Sequence, residues 1–203
     1  MSEGNPYNPL DTTNLGLSVM NALLSSPVVS LPPPGGFLGA GLYAIYYIGD
    51  FPAYAEIAER NAENRFQQPI YIGKAIPAGG RKGGLGRGRA MGVVLYKRLI
   101  EHAESIRAAT NLRLEDFRCR YLVVADIWIP LGEALLIDQF SPLWNRVIDG
   151  FGNHDPGSGR YEQMRSPWDV LHPGRQWALK CKDHKRSMDE ILRAIAVHGA
   201  GKP

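Results

Sequence analysis

At 203 residues with 44% hydrophobic content, the chain suits one packed domain with extended arms and is too short for two large ones. The net charge of +3 is modest, but residues 79–100 hold six Lys or Arg (Arg81, Lys82, Arg87, Arg89, Lys97, Arg98) and no acid, a local patch suited to a polyanion. Two cysteines far apart in sequence, no apolar opening segment and no run near the about 20 apolar residues of a spanning helix set aside disulfide scaffolds, secretion and membrane insertion, leaving a reduced cytoplasmic protein as the expectation.

In chain order, residues 1–36 read as an arm: a polar start, one short apolar-periodic helix (Leu15, Leu17, Val19, Met20, Leu23, Leu24), then the stiff LPPPGGF. The helix either wraps a partner subunit or packs on its own domain. GLYAIYY (41–47) and PIYIGKA (69–75) have strand composition with turn punctuation at their ends. The helix-favouring DFPAYAEIAERNAENRFQQ between them excludes a tight hairpin. IPAGGRKGGLGRGRAMG alternates glycine with Arg and Lys; a solvated loop is the bland reading, but charges of one sign favour a basic arm that settles on nucleic acid. It lacks the Gly-Lys-Ser/Thr ending of a nucleotide-phosphate loop.

Val93 to Ala109 has helical periodicity, with Leu95, Leu99 and Ile106 on one stripe, His102 inside it and Arg98 at its edge. A lone histidine there would be an ordinary core residue, but an arginine near a buried face needs an anion, and Glu101 is expected to point away. Arg118 to Ile129 has the strongest β composition in the chain, with Cys119 packed inside it. Leu131 to Phe140 reads as a short helix ended by Ser141-Pro142, with Glu133 within about 60° of Leu136, Ile137 and Phe140 on the apolar face. A carboxylate placed there must be paired, for instance with Arg98, or bind a metal. PLWN follows. Residues 146–175 look loop-like but carry Tyr161 and Trp168, with Trp177 just beyond, so they must pack on the domain, a second subunit or a ligand. Ser187 and Glu190 form a capping box for a last helix.

Two strand tyrosines (Tyr43, Tyr71), a helical Arg98 and His102, an inward Glu133 and Asn145, beside a basic loop, together suit phosphodiester hydrolysis. A lone carboxylate can hold Mg²⁺ with phosphate oxygens and waters, Arg98 can clamp nonbridging oxygens, and Tyr43 can act as base if positive charge draws off its proton. Structural zinc at Cys181 and His184 is the weaker metal reading, since no second close ligand pair exists.

These residues carry a resemblance. GLY at 41–43 and YIG at 71–73, followed by Arg98, His102, Glu133 and Asn145, are similar to the paired motif and site of the GIY-YIG nuclease superfamily; YYIG at 46–49 is a decoy, because Lys74 and the basic helix follow the later copy. LPPPGGF, QPIYIGKAIPAG, PLWN, DGFGNHDPGSGR and WDVLHPGR further resemble the type II restriction endonuclease branch that cuts GC-rich palindromes such as CCGCGG. The resemblance implies an α+β fold with a small three-stranded antiparallel-type sheet flanked by helices: a core at 37–147, its basic loop near 79–92, and terminal arms at 1–36 and 148–203. It implies Tyr43 as general base, Tyr71 as its neighbour, Arg98 and His102 as phosphate or nucleophile contacts, Glu133 as ligand of Mg²⁺ (Mn²⁺ as substitute), and Asn145 as positioner of the phosphate backbone. Lys74, Arg81, Lys82, Arg87, Arg89 and Lys97 are the implied DNA contacts. The implied partners are double-stranded DNA, a second copy of the chain and a cognate DNA methyltransferase in the same bacterial cytoplasm. A GIY-YIG nuclease of repair or mobile elements, or a noncatalytic DNA-binding module, are the alternatives.

Overall fold

The computed structural model describes residues 8, 11–77, 92–155, 157 and 161–200. The fold is α+β, built on one antiparallel sheet in the order β1-β4-β2-β3, where β1 is Val29–Ser30, β2 Gly41–Tyr47, β3 Pro69–Ala75 and β4 Phe117–Val123. Four strands stand where three were expected, because Val29–Ser30, just before the proline-rich stretch, pairs with Cys119 and Arg118. Two residues of backbone pairing leave no readable apolar alternation, so this strand had no signature.

Both faces of the sheet are covered, and every residue of the central β2 is buried. Its alternation sends Tyr43, Ile45 and Tyr47 to one face and Leu42, Ala44 and Tyr46 to the other. The first face receives α3 (Val94–Ala108), α5 (Leu143–Arg146), α6 (Pro167–Leu171) and α7 (Met188–Ala200), through Leu95, Leu99, Trp144, Trp168, Ile191 and Ile195. The second is closed by α1 (Thr12–Leu24) and α4 (Ile129–Phe140), through Met20, Leu23, Ile129 and Leu136. Of the two readings of the N-terminal helix, the structure has it packed on its own domain: Gly16 lies against Leu131 and Leu135 of α4.

The segment between β2 and β3 carries helix α2 (Ala55–Asn61) flanked by short 3₁₀ turns, as its composition required. The strand expected over 118–129 ends at Val123, opposite Gly41, where its partner β2 begins. Beyond that point no neighbouring strand can satisfy the ladder, and Pro130 in the first helical turn starts α4 two residues earlier than expected, at Ile129. The β-rich letters Ile127, Trp128 and Ile129 thus lose to pairing and proline chemistry. The described residues of 146–175 fold back on the domain: Phe151, Trp168 and His172 form one aromatic cluster with Trp144 and Tyr54. At Gly174 (φ +149°) an added Cβ would strike the Ala108 carbonyl, so the turn after α6 can press against the end of α3. The capping box is present, with the Ser187 N–H donating to Glu190 Oε2 at 2.7 Å and the Glu190 N–H to Ser187 Oγ at 3.3 Å.

Candidate active site

Strand alternation and the β2–β3 register assemble the tyrosines. Tyr43 stands opposite Gly73, and Tyr71 opposite Ile45, so both phenols emerge on the α3 face with ring centroids 6.2 Å apart. The glycine of the second motif has a packing reason: a Cβ on Gly73 would overlap Tyr43 Oη, so only glycine leaves room for that ring. A bulge between Ile45 and Tyr46 gives β3 one extra residue, and Ile70 then packs in the same cluster that Tyr71 lies against. Tyr46 faces the opposite side of the sheet, near Arg120, and Tyr47 accepts a hydrogen bond from the Phe51 N–H, so the decoy letters do not meet the others.

From α3, His102 is buried with Nε2 2.6 Å from Tyr43 Oη. Burial pushes the Tyr43 phenol well above its ordinary pKa, with Tyr71 adding to the rise and Arg98 opposing it. Burial likewise holds His102 well below 6.5, helped by the positive charge of Arg98, by coupling to His154 and by the charge of Arg175. The pair is therefore a neutral phenol on a neutral imidazole. The nearby positive charge does not by itself ionise Tyr43, contrary to the condition placed on its role as base.

Arg98 donates to the Gly152 carbonyl (2.8 Å) and to His154 Nε2, and it pairs with Glu101 at 3.2 Å. Glu101 was expected to point away; one turn of helix is short enough for the long arginine to fold back to it. The expected anion for Arg98 is thus partly supplied from its own helix. Glu133 does not pair with Arg98 but with Lys74, Oε2 to Nζ at 2.6 Å, across the junction of α4 and the end of β3. Lys74, expected as a DNA contact, is in this state the partner of the expected metal ligand. Lys97 is on the first half of α3, and its charge is felt at His154. Arg81, Lys82, Arg87 and Arg89 lie outside the described residues.

Asn145 is tied to the second motif strand. β3 is an edge strand, and Asn145 completes it: Oδ1 accepts from the Ile72 N–H (2.9 Å) and Nδ2 donates to the Ile72 carbonyl (2.8 Å). A phosphate contact would have to use the remaining N–H of the same amide.

Three contributors had no role in the sequence reading. Phe151 stacks on His102 with centroids 4.4 Å apart and planes at 17°. Gly152 supplies the Arg98 acceptor, and a Cβ there would crowd both Tyr71 Oη and Arg98 Nη2. His154 sits beside Arg98 and Glu101. All three come from GFGNH, whose glycines and lack of periodicity hide any pointing direction; only the motif's likeness flagged it.

One hard oxygen-donor carboxylate, 19% exposed and beside a phenol, fits a magnesium ion that completes its shell with phosphate oxygens and waters. Among the described residues no cluster of three His, Cys, Asp or Glu side chains offers a closed cage. Among the described residues no helix is long and apolar enough to cross a membrane.

A family model described as the Eco29kI GIY-YIG domain matches residues 35–199. No curated protein matches the chain significantly.

Proposed function

Since the chain belongs to the Eco29kI GIY-YIG domain family, a family of site-specific DNA endonucleases, we propose that it is a type II restriction enzyme hydrolysing both strands of a GC-rich palindrome such as CCGCGG. The observation that carries the chemistry is the Tyr43–His102 contact, buried beside Arg98 with Glu133 at the rim.

In the proposed reaction a water attacks the phosphorus and the P–O3′ bond breaks, the departing 3′ oxygen taking a proton from solvent to leave as the 3′-OH. With His102 Nε2 unprotonated, the Tyr43 O–H donates to it; as the water gives its proton to Tyr43 Oη, the phenol proton passes to His102. A short hydrogen bond to a neutral imidazole makes a buried phenol usable as a base without prior ionisation. Arg98 holds the nonbridging oxygens and spreads their charge in a site with little water. Nucleases of this superfamily are generally divalent-metal dependent. Glu133 would hold Mg²⁺, with Mn²⁺ as substitute, and the ion supplies charge neutralisation at the leaving 3′ oxygen. Lys74, which pairs with Glu133 in the absence of DNA, would then be able to meet the DNA backbone. Asn145 acts chiefly by keeping the Tyr71 strand in register. Arg81, Lys82, Arg87 and Arg89 of the basic stretch would read guanine edges, whose O6 and N7 accept from arginine. A palindrome cut on both strands implies two copies of the chain, related by the DNA's own twofold, and a methyltransferase to protect the host site.

The test is digestion of plasmid DNA of known sequence with Mg²⁺ and sequencing of the product ends. One defined palindrome at every end is the expected result, and Glu133→Gln should abolish cutting; random ends, or undiminished cutting by Glu133→Gln, would refute the assignment.

A further inference from the structure

The loop at 150–153 touches three site residues at once, yet it is irregular and held by no strand or helix of its own. What holds it is an ion pair on its far side. Arg175 and Asp169 are 4% and 2% exposed and pair in a fork, Nε to Oδ1 at 2.6 Å and Nη2 to Oδ2 at 2.7 Å. The same guanidinium donates to the carbonyls of Gly150 (2.9 Å), Phe151 (3.1 Å) and Asn153 (3.1 Å). It lies between the rings of Trp168 and Trp177, at 4.5 and 4.7 Å from their centroids. The carbonyl it leaves out is that of Gly152, which is turned the other way and accepts from Arg98. Two arginines thus divide the loop's carbonyls between them, one from the core side and one from the site.

We propose that Arg175, aligned by Asp169, is a positioning residue for the reaction: it sets the loop so that Phe151 stacks on His102 and the Gly152 carbonyl aims Arg98 at the phosphate. The fork geometry is needed, because three carbonyls and a carboxylate are met by one planar group with five N–H donors. A lysine has the charge but cannot span those acceptors. The inference rests on the hydrolytic reading above for its rate effect, and on the DNA-free fold for its effect on His102. The groups facing His102 are Tyr43 from β2, Tyr71 from β3, Arg98 from its own helix, and Phe151, His154 and Arg175 from the C-terminal segment.

The experiment compares wild type with Arg175→Lys, and with Arg175→Met combined with Asp169→Asn. The double variant removes both buried charges together and leaves neither unpaired, so it serves as the second test should the lysine variant fail to fold. Two readouts are taken: kcat and KM for cleavage of plasmid DNA, and the titration of His102 by proton NMR in the DNA-free protein. A loosened loop should lower kcat about 100-fold with KM changed less than about threefold. In Arg175→Lys, which retains the charge that itself lowers the His102 pKa, the His102 midpoint should also rise by about one pH unit, as water reaches the ring where Phe151 had covered it. A folded variant with lowered thermal stability but unchanged kcat and His102 midpoint would overturn the proposal and leave Arg175 a structural residue. A wild-type protein that cuts no DNA would sink the hydrolytic reading instead, while the His102 titration still decides the positioning of the loop.

Discussion

At Gly73 the packing is tight enough to decide a residue by itself. Alanine there would force Tyr43 off its position against His102, so Gly73→Ala should lose about 100-fold in cleavage rate while DNA binding, followed by gel shift, stays near wild type. A pH profile tests the Tyr43–His102 pair. The imidazole must be unprotonated to accept the phenol proton, and burial, with the guanidiniums of Arg98 and Arg175 nearby, holds its pKa well below 6.5. Its acceptor form is therefore kept as pH falls through 6.5, and the acid limb of kcat should lie well below that value; a limb centred at 6.5 or above would contradict the relay. Cys119 illustrates the opposite outcome for a reactive residue type: burial pushes its thiol up to about 12, so it packs as an apolar side chain.

Among the elements, the edge strand β3 has the most to lose. Among the described residues its outer backbone at Ile72 is closed by the Asn145 amide, and Asn145→Ala would leave one donor and one acceptor unpaired, costing about 1–3 kcal/mol. Thermal denaturation should show that loss, and cleavage should fall further than stability because Tyr71 is next to the loosened residue. By contrast the α7 cap is far from the chemistry: Ser187→Ala should cost about 1 kcal/mol in chemical denaturation with cleavage unchanged. The sequence displayed the two cases unequally. Ser187 and Glu190 are local, three residues apart, and could be paired on sight. Asn145 and Ile72 are 73 residues apart, and nothing in PLWN announces that its amide will serve as a surrogate strand.

On the scale of the whole molecule, the C-terminal segment is joined to the domain through a buried polar chain. Trp144 Nε1 donates to Tyr54 Oη (3.0 Å), the Tyr54 O–H donates to His172 Nε2 (2.5 Å), and His172 Nδ1 donates to Asn111 Oδ1 (2.9 Å). Asn111 Nδ2, donating to the Leu171 carbonyl at 2.9 Å, fixes that direction. Burial lowers the His172 pKa to about 3, below the 6.5 of an exposed histidine. The unfolded chain then binds the proton more tightly than the folded one, so stability is full above about pH 6.5 and falls as pH drops from there toward 3. Between pH 6.5 and 5 this amounts to about 2 kcal/mol for the one group. Urea denaturation at both pH values should show a steeper acid loss in wild type than in His172→Gln. The same packing makes a truncated chain of residues 1–147 a poor prospect: without Phe151, Trp168, Ile191 and Ile195 the α3 face of the sheet is stripped, and the fragment should bind ANS and melt without a cooperative transition.

The amino-acid sequence by itself determined the family, the two tyrosine strands, the helical face bearing Arg98 and His102, and the helix that carries Glu133. Each is written in local periodicity or in a short motif whose residues lie within a few turns or one strand. Only the tertiary structure decided that Glu133 meets Lys74, that Glu101 turns back to Arg98, that Asn145 closes an edge strand, and that β1 exists. It also decided that the irregular stretch 150–153, held by Arg175 and Asp169, forms one wall of the site. The physical reason is common to all of them. A side chain's partner depends on which backbone arrives opposite it, and long-range register, burial and hydrogen-bond satisfaction leave no periodic trace in the chain that supplies them.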